Sequence, residues 1–328
     1  MTRKVISAVA LSLLAASAWA QEEAQAPEGE KVVITGQRPG PGLWKVSKGE
    51  HVMYLFGDYS PLPIKMDWRS HEVESIIAKS QEYLPKPSFG IKVGFWGGLK
   101  LLPYAIGFKN NPDGAKLIDV LPAETYDRWQ ALKAKYIGKN DDIERERPMF
   151  AADTLYRYGL EKNGLTKRTE VYAKLDKLVK QYKVKVTPSG FETELDNPGQ
   201  ALKAFKNSPG ADTDCFAKTV ESLESDIDAM RVRANAWAVG DMSKIASLNF
   251  ADREEACKQA VFDNEAFKSN DKLQHAEQSA RKAWMSNAEH ALEANDTTFA
   301  VLSLSQLIGP KNYLLELQAK GYKVEAPE

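Results

Sequence analysis

Four histidines and two cysteines are the only side chains in this 328-residue sequence that can supply imidazole or thiol chemistry, and their spacing restricts both. His51 falls at a strand opening and His71 at an exposed helix start, positions where a surface role suffices. His275 and His290 share one stretch of helical periodicity, but their separation is about four turns, roughly 22 Å along a helix axis. They cannot share a metal ion within that helix. Neither Cys215 nor Cys257 has a histidine near it in sequence, which leaves a Cys–His nucleophile unsupported. No HExxH, CxxC or GxSxG pattern occurs, so the common zinc-hydrolase and serine-hydrolase readings lack their signatures.

The first twenty residues bear on the cysteines. Arg3 and Lys4 precede an apolar run from Val5 to Leu14, and Ala18-Trp19-Ala20 places small residues where signal peptidase reads them, so residues 1–20 are expected to be a signal peptide. The apolar run is too short to span a bilayer, and no later stretch approaches that length. Export to an oxidising compartment, most simply a bacterial periplasm, favours a Cys215–Cys257 disulfide. Closing that loop would stabilise the fold by about 4 kcal/mol. The 44 basic and 45 acidic side chains nearly cancel, which gives no field to gather nucleic acid or an anionic membrane.

Residues 21–42, rich in Glu, Pro, Gly and Ala, read as a flexible lead-in. Leu43 to Val46 and His51 to Phe56 are β-prone runs around the turn-like Ser47-Lys48-Gly49-Glu50, a hairpin signal. Arg69 to Tyr83 carries Val73, Ile76 and Ile77 at helical spacing. Phe89 to Lys109 holds five glycines and little periodicity, and reads as a long loop with short strand pieces. Helices are expected from about Leu121 to Tyr136, Pro148 to Asn163, Thr169 to Gln181, Phe216 to Gly240, Arg253 to Phe262 and Asp271 to Ala294. Met230, Ala234 and Trp237 then share one face, best read as core. Lys183 to Thr187, Thr297 to Leu304 and Tyr322 to Val324 are strand candidates, with a helix from Pro310 to Ala319.

The two ends of this plan carry a resemblance. Leu43-Trp44-Lys45-Val46 through Tyr54-Leu55-Phe56-Gly57, and Thr297-Thr298-Phe299-Ala300-Val301 through Gly309 and Leu314 to Val324, are similar to the ends of the TraB/GumN family. That family is related to the Tiki proteases and to the erythromycin-esterase and ChaN-like fold. The resemblance implies an α/β fold with a mixed central β-sheet flanked by helices and a large helical insertion. It also implies a metal-dependent hydrolase centre built from two Gly-x-x-His motifs and acidic residues.

The chain departs from that pattern where the chemistry should be. In Gly57-Asp58-Tyr59-Ser60 the histidine position holds Ser60; in Ser303-Leu304-Ser305-Gln306 it holds Gln306, and Ser303 replaces the opening glycine. A hydroxyl and an amide carbonyl are weak donors beside imidazole. Asp58 could add an oxygen ligand suited to calcium or magnesium. Glu192 and Glu194 resemble the family's middle acidic motif, Glu82 is a further acidic candidate, and Arg281 with Trp284 resembles an Arg-x-x-Trp element. The expected organisation is a signal peptide, a lead-in, and a single α/β domain over residues 43–328 with a helical insertion at about 121–295. The expected function is a catalytically degenerate, exported binding or structural protein without a cofactor, taking a protein, peptide or glycan. The alternative is a peptidase-like hydrolase using a divalent metal held by a rearranged centre of Asp58, Ser60, Glu192 and Gln306, with Arg281 as an orienting group.

Overall fold

Two antiparallel strands, β1 (Leu43–Lys48) and β2 (His51–Asp58), form the expected hairpin, with Gly49 at φ 63° in the turn between them. The computed structural model describes residues 40–66, 68–92, 95–167, 170–194, 197–207, 212–246, 253–268, 270–310 and 312–327. All belong to one unit, Arg38–Glu328. The signal-peptide reading at 1–20 and nearly all of the lead-in at 21–42 lie outside the described residues.

The remaining strands are β3 (Leu62–Pro63), β4 (Glu82–Leu84), β5 (Ser88–Ile91), β6 (Leu165–Thr166), β7 (Lys185–Val186), β8 (Gly190–Thr193), β9 (Thr297–Ser303) and β10 (Lys323–Glu325). Six of them form a mixed sheet in the order β10-β1-β2-β9-β4-β7. The first two pairings are antiparallel and the last three parallel. β9 is flanked by parallel partners on both sides, and Thr298 to Leu302 are accordingly buried without alternation. β1 lies nearer the edge and alternates, burying Trp44 and Val46.

Two hydrophobic clusters hold the molecule. The first packs Leu55, Phe56, Phe299 and Val301 of the sheet against the helices His71–Ile77, Glu170–Gln181, Ile227–Ala238 and Ala276–Ala294. The second is mainly helical, built around Trp129, Leu155 and Phe216 from the helices Ala123–Tyr136, Pro148–Lys162 and Thr213–Ser225. The helical insertion therefore has a core of its own. The Cys215–Cys257 disulfide is formed, joining the helices Thr213–Ser225 and Arg253–Phe262. No helix among the described residues is long and apolar enough to cross a membrane.

Several boundaries differ from the sequence reading. The helix expected over 69–83 is confined to His71–Ile77, because Ser80 turns its hydroxyl onto the Ile76 carbonyl and the chain re-emerges as β4. Tyr83 then stacks on Phe299 across the sheet at 6.1 Å. The loop expected over 89–109 contains β5 and the helix Phe95–Ala105, despite Gly97, Gly98 and Pro103. That helix packs against the helix Pro198–Asn207, so tertiary contact overrides poor local propensity. The long helix over 216–240 divides at Asp226, and the one over 271–294 divides at His275.

Candidate functional site

β2 and β9 run side by side and finish together, with Gly57 opposite Leu302 and Asp58 opposite Ser303. The two motifs singled out in the sequence therefore start side by side at the carboxyl end of the central strand pair. Gly57 is required there: a Cβ would lie 2.6 Å from Leu304 Cδ2 and 2.7 Å from Trp44 Cζ3. The Gly57 carbonyl accepts a hydrogen bond from Trp237 Nε1 at 2.6 Å, which ties the helix Ile227–Ala238 to the end of β2. One turn earlier on that helix, Arg233 donates to Tyr59 Oη at 3.1 Å and to Asp226 Oδ2 at 2.6 Å. Burial pushes the Tyr59 phenol up, against the opposing pull of Arg233.

These contacts line a cavity of about 640 Å³ beyond the carboxyl ends of the parallel strands, the usual ligand position in an open α/β sheet. Asp58, Ser60, Lys86, Ser303 and Ser305 come from the sheet side; Tyr156, Asp226, Arg233, Arg253 and Lys258 come from the insertion. Asp58 is buried, 5% exposed, and Lys86 Nζ sits 2.7 Å from its Oδ2. Lys86 also lies over the Tyr172 ring, 4.8 Å from its centroid. Burial, and then the Asp58 carboxylate, push the Tyr172 phenol far up, so it stays protonated.

The remaining sequence candidates have other employment. Gln306 closes a capping box: its Oε1 accepts from the Ser303 N–H at 2.9 Å, while its own N–H donates to Ser303 Oγ at 3.3 Å. Glu192 lies in the separate β5–β8 ribbon, more than half exposed and paired with Lys92 at 2.7 Å. It does not line the cavity. Arg281 pairs with Glu316 at 2.9 Å and stacks over Tyr313, fastening the helix Tyr313–Ala319; it too lies outside the cavity. Of the expected centre of Asp58, Ser60, Glu192 and Gln306, the cavity brings together Asp58 and Ser60; Glu192 lies in a separate ribbon, and Gln306, though beside the cavity-lining Ser305, spends its amide on its own helix cap.

Glu82 is a structural acid. It is buried in β4 and accepts hydrogen bonds from Thr187 Oγ1, from Asn295 Nδ2 at 2.8 Å and from Lys185 Nζ at 3.3 Å. Burial alone would raise its pKa, but these bonds outweigh it and hold the carboxyl below the ordinary glutamate value. A carboxyl depressed in the folded state contributes stability above its unfolded pKa and loses it as pH falls through the folded one. Glu82→Gln is expected to lower stability by about 1 kcal/mol at neutral pH and to flatten the acid limb below about pH 4.5. Urea unfolding at several pH values checks this; an unchanged acid limb would contradict it.

Sequence reasoning missed Lys86 and Arg253. Lys86 carries a weak signal, since Pro85 and Pro87 fix its backbone directly after a buried strand. Arg253 carries another: a cation at the first position of a helix opposes the helix dipole, a local conflict that calls for a reason.

The fold and the cavity together define a class: a mixed α/β protein with a ligand-sized site where a central parallel strand pair ends against a helical insertion. The profile of the TraB/PrgY/gumN family matches residues 42–326, and the chain belongs to that family. Comparison with curated proteins and with solved structures gives no match. The divalent metal that the family resemblance implies does not fit the residues present. The one buried carboxylate of the site is engaged by an ammonium group, and the positions expected to offer imidazole hold a hydroxyl and a helix-capping amide. Among the described residues no group of three or more His, Cys, Asp or Glu side chains gathers as a ligand set.

Proposed function

We propose that this protein is an exported, catalytically degenerate member of the TraB/PrgY/gumN family, and that the cavity at the ends of β2 and β9 is a binding site. The observation that carries the reading is the Lys86–Asp58 pair at 2.7 Å. An ammonium on that carboxylate supplies the positive charge a metal would otherwise bring, without the open coordination position that turns water into a nucleophile. The cavity is large enough for a small organic ligand or the end of a polymer such as a peptide or glycan. A role for the insertion as an exposed apolar docking face has less support, because Val232 is the only large hydrophobic side chain exposed on the helix Ile227–Ala238.

Profiling the protein and an Asp58→Ala variant on peptide and ester panels, with and without added zinc, manganese or magnesium, tests the reading. The expected result is no turnover above the blank in any combination. Metal-dependent turnover that disappears in Asp58→Ala would replace it with the metallohydrolase reading.

A further inference from the structure

We infer that the cavity takes its ligand by a carboxylate group, received by the guanidinium of Arg253. The inference rests on the reading of the cavity as a binding site and names the chemistry of what enters it. Four cationic side chains are buried among the described residues: Lys133, Arg147, Arg233 and Arg253. Three face carboxylates, Lys133 with Glu144 at 2.9 Å, Arg147 with Asp212 at 3.7 Å and Arg233 with Asp226 at 2.6 Å. Arg253, 5% exposed, has no carboxylate in ion-pairing contact among those residues. A buried charge without a counterion is costly enough that proteins seldom keep one without a use for it.

The surroundings fix the guanidinium in place and leave one edge free. Its Nε donates to Thr219 Oγ1 at 3.0 Å, and that hydroxyl in turn donates to the Cys215 carbonyl at 2.7 Å. Its plane lies over the Tyr156 ring, with Cζ 3.8 Å from the centroid. The terminal amino groups make no hydrogen bond to any described residue, and Arg253 lines the cavity. Burial lowers the arginine's pKa from its ordinary value, as expected of a cation awaiting a partner.

Two parallel N–H donors on a rigid plane match the two oxygens of a carboxylate or of a phosphate. Local charge decides between them. Glu254 and Asp153 act electrostatically on Arg253 without forming an ion pair with it, and Lys167 lies over the same tyrosine ring at 5.4 Å. Two cations and two carboxylates leave the locality near neutral, so a monoanion is accommodated with less repulsion than a phosphate dianion.

Calorimetry on the mature protein provides the test, with four probes: N-acetyl-dialanine, its C-terminal amide, galacturonate and galactose. Inorganic phosphate serves as the competing oxyanion. At least one acid should bind about tenfold or more tightly than its neutral counterpart and more tightly than phosphate. The acid that binds distinguishes a peptide C-terminus from a sugar acid. Arg253→Lys keeps the charge but loses the fork, and should weaken that acid about tenfold while the far-ultraviolet circular dichroism is unchanged. Arg253→Gln should abolish binding, and if it fails to fold, the lysine variant alone carries the comparison. Equal affinity for acid and neutral probe, preference for phosphate, no binding of either acid, or an unaffected lysine variant would each overturn the carboxylate assignment while leaving the metal-free binding protein standing. Metal-dependent turnover would overturn that underlying reading whatever Arg253 does.

Discussion

Trp237→Ala is expected to lower the free energy of unfolding by about 4 kcal/mol, and Trp237→Phe by about 1 to 2 kcal/mol. The indole is 1% exposed and sits in the sheet core, edge-on to Phe56 at 5.9 Å and beside Trp68 at 6.1 Å. Truncation removes that packing and leaves a void between β2 and the helix Ile227–Ala238. Phenylalanine restores most of the ring but not the N–H, so the Gly57 carbonyl loses its 2.6 Å donor. The same helix carries Met230 and Arg233 into the cavity wall, so ligand binding should fall with stability in the alanine variant. Urea unfolding of the three proteins measures the effect. A loss below about 1 kcal/mol for alanine would show that Trp237 does not fasten the insertion to the sheet.

The second large effect is expected from the disulfide. Replacing both Cys215 and Cys257 with alanine should cost about 4 kcal/mol, because the bond closes a long loop and its loss returns that freedom to the unfolded chain. The separation is 42 residues, and the loop contains the helix Ile227–Ala238. Cys215 is buried in the helical core, so a small packing loss adds to the entropic one. The bond also joins the helix that begins with Arg253 to the one that carries Thr219, the hydroxyl that holds the guanidinium. Its removal should therefore weaken the cavity wall before the sheet. Unfolding of the wild type with and without reductant, compared with the double variant, checks the magnitude. A difference under about 1 kcal/mol would contradict the chain-entropy estimate.

Five of the six strands of the sheet were legible from the sequence because they carry their own signals, whereas β4 was hidden at the end of a stretch read as helix. The β1–β2 hairpin follows from two β-prone runs and a glycine turn, and β9 from a short β-prone apolar run of the kind a strand buried on both faces carries. The disulfide was expected from the even thiol count and the export reading of the first twenty residues, and it is formed. The helix Phe95–Ala105 was illegible, since its glycines and proline argue against helix and its packing on the helix Pro198–Asn207 does not show in the sequence. The breaks at Asp226 and His275 were hidden for a related reason: apolar periodicity runs on across them.

The site was half legible. Asp58 and Ser60 were found through the likeness of Gly57-Asp58-Tyr59-Ser60 to a family motif, and both line the cavity at the end of β2. Glu192 and Arg281 were drawn in by likeness of motif, although their partners, Lys92 and Glu316, are local and lie elsewhere. Gln306 occupies its expected place but turns its amide back onto its own helix. Lys86 and Arg253 reach the cavity from distant stretches of chain, and their importance depends on what faces them in space. Spacing along a sequence does not encode that.

The Lys86–Asp58 pair is the point on which the functional reading turns. Elemental analysis of the protein, purified without chelator and after incubation with zinc, manganese and cobalt salts followed by desalting, tests it most directly. The predicted result is well under one retained transition-metal ion per chain in every sample. A stoichiometric ion, lost on Asp58→Ala, would contradict it.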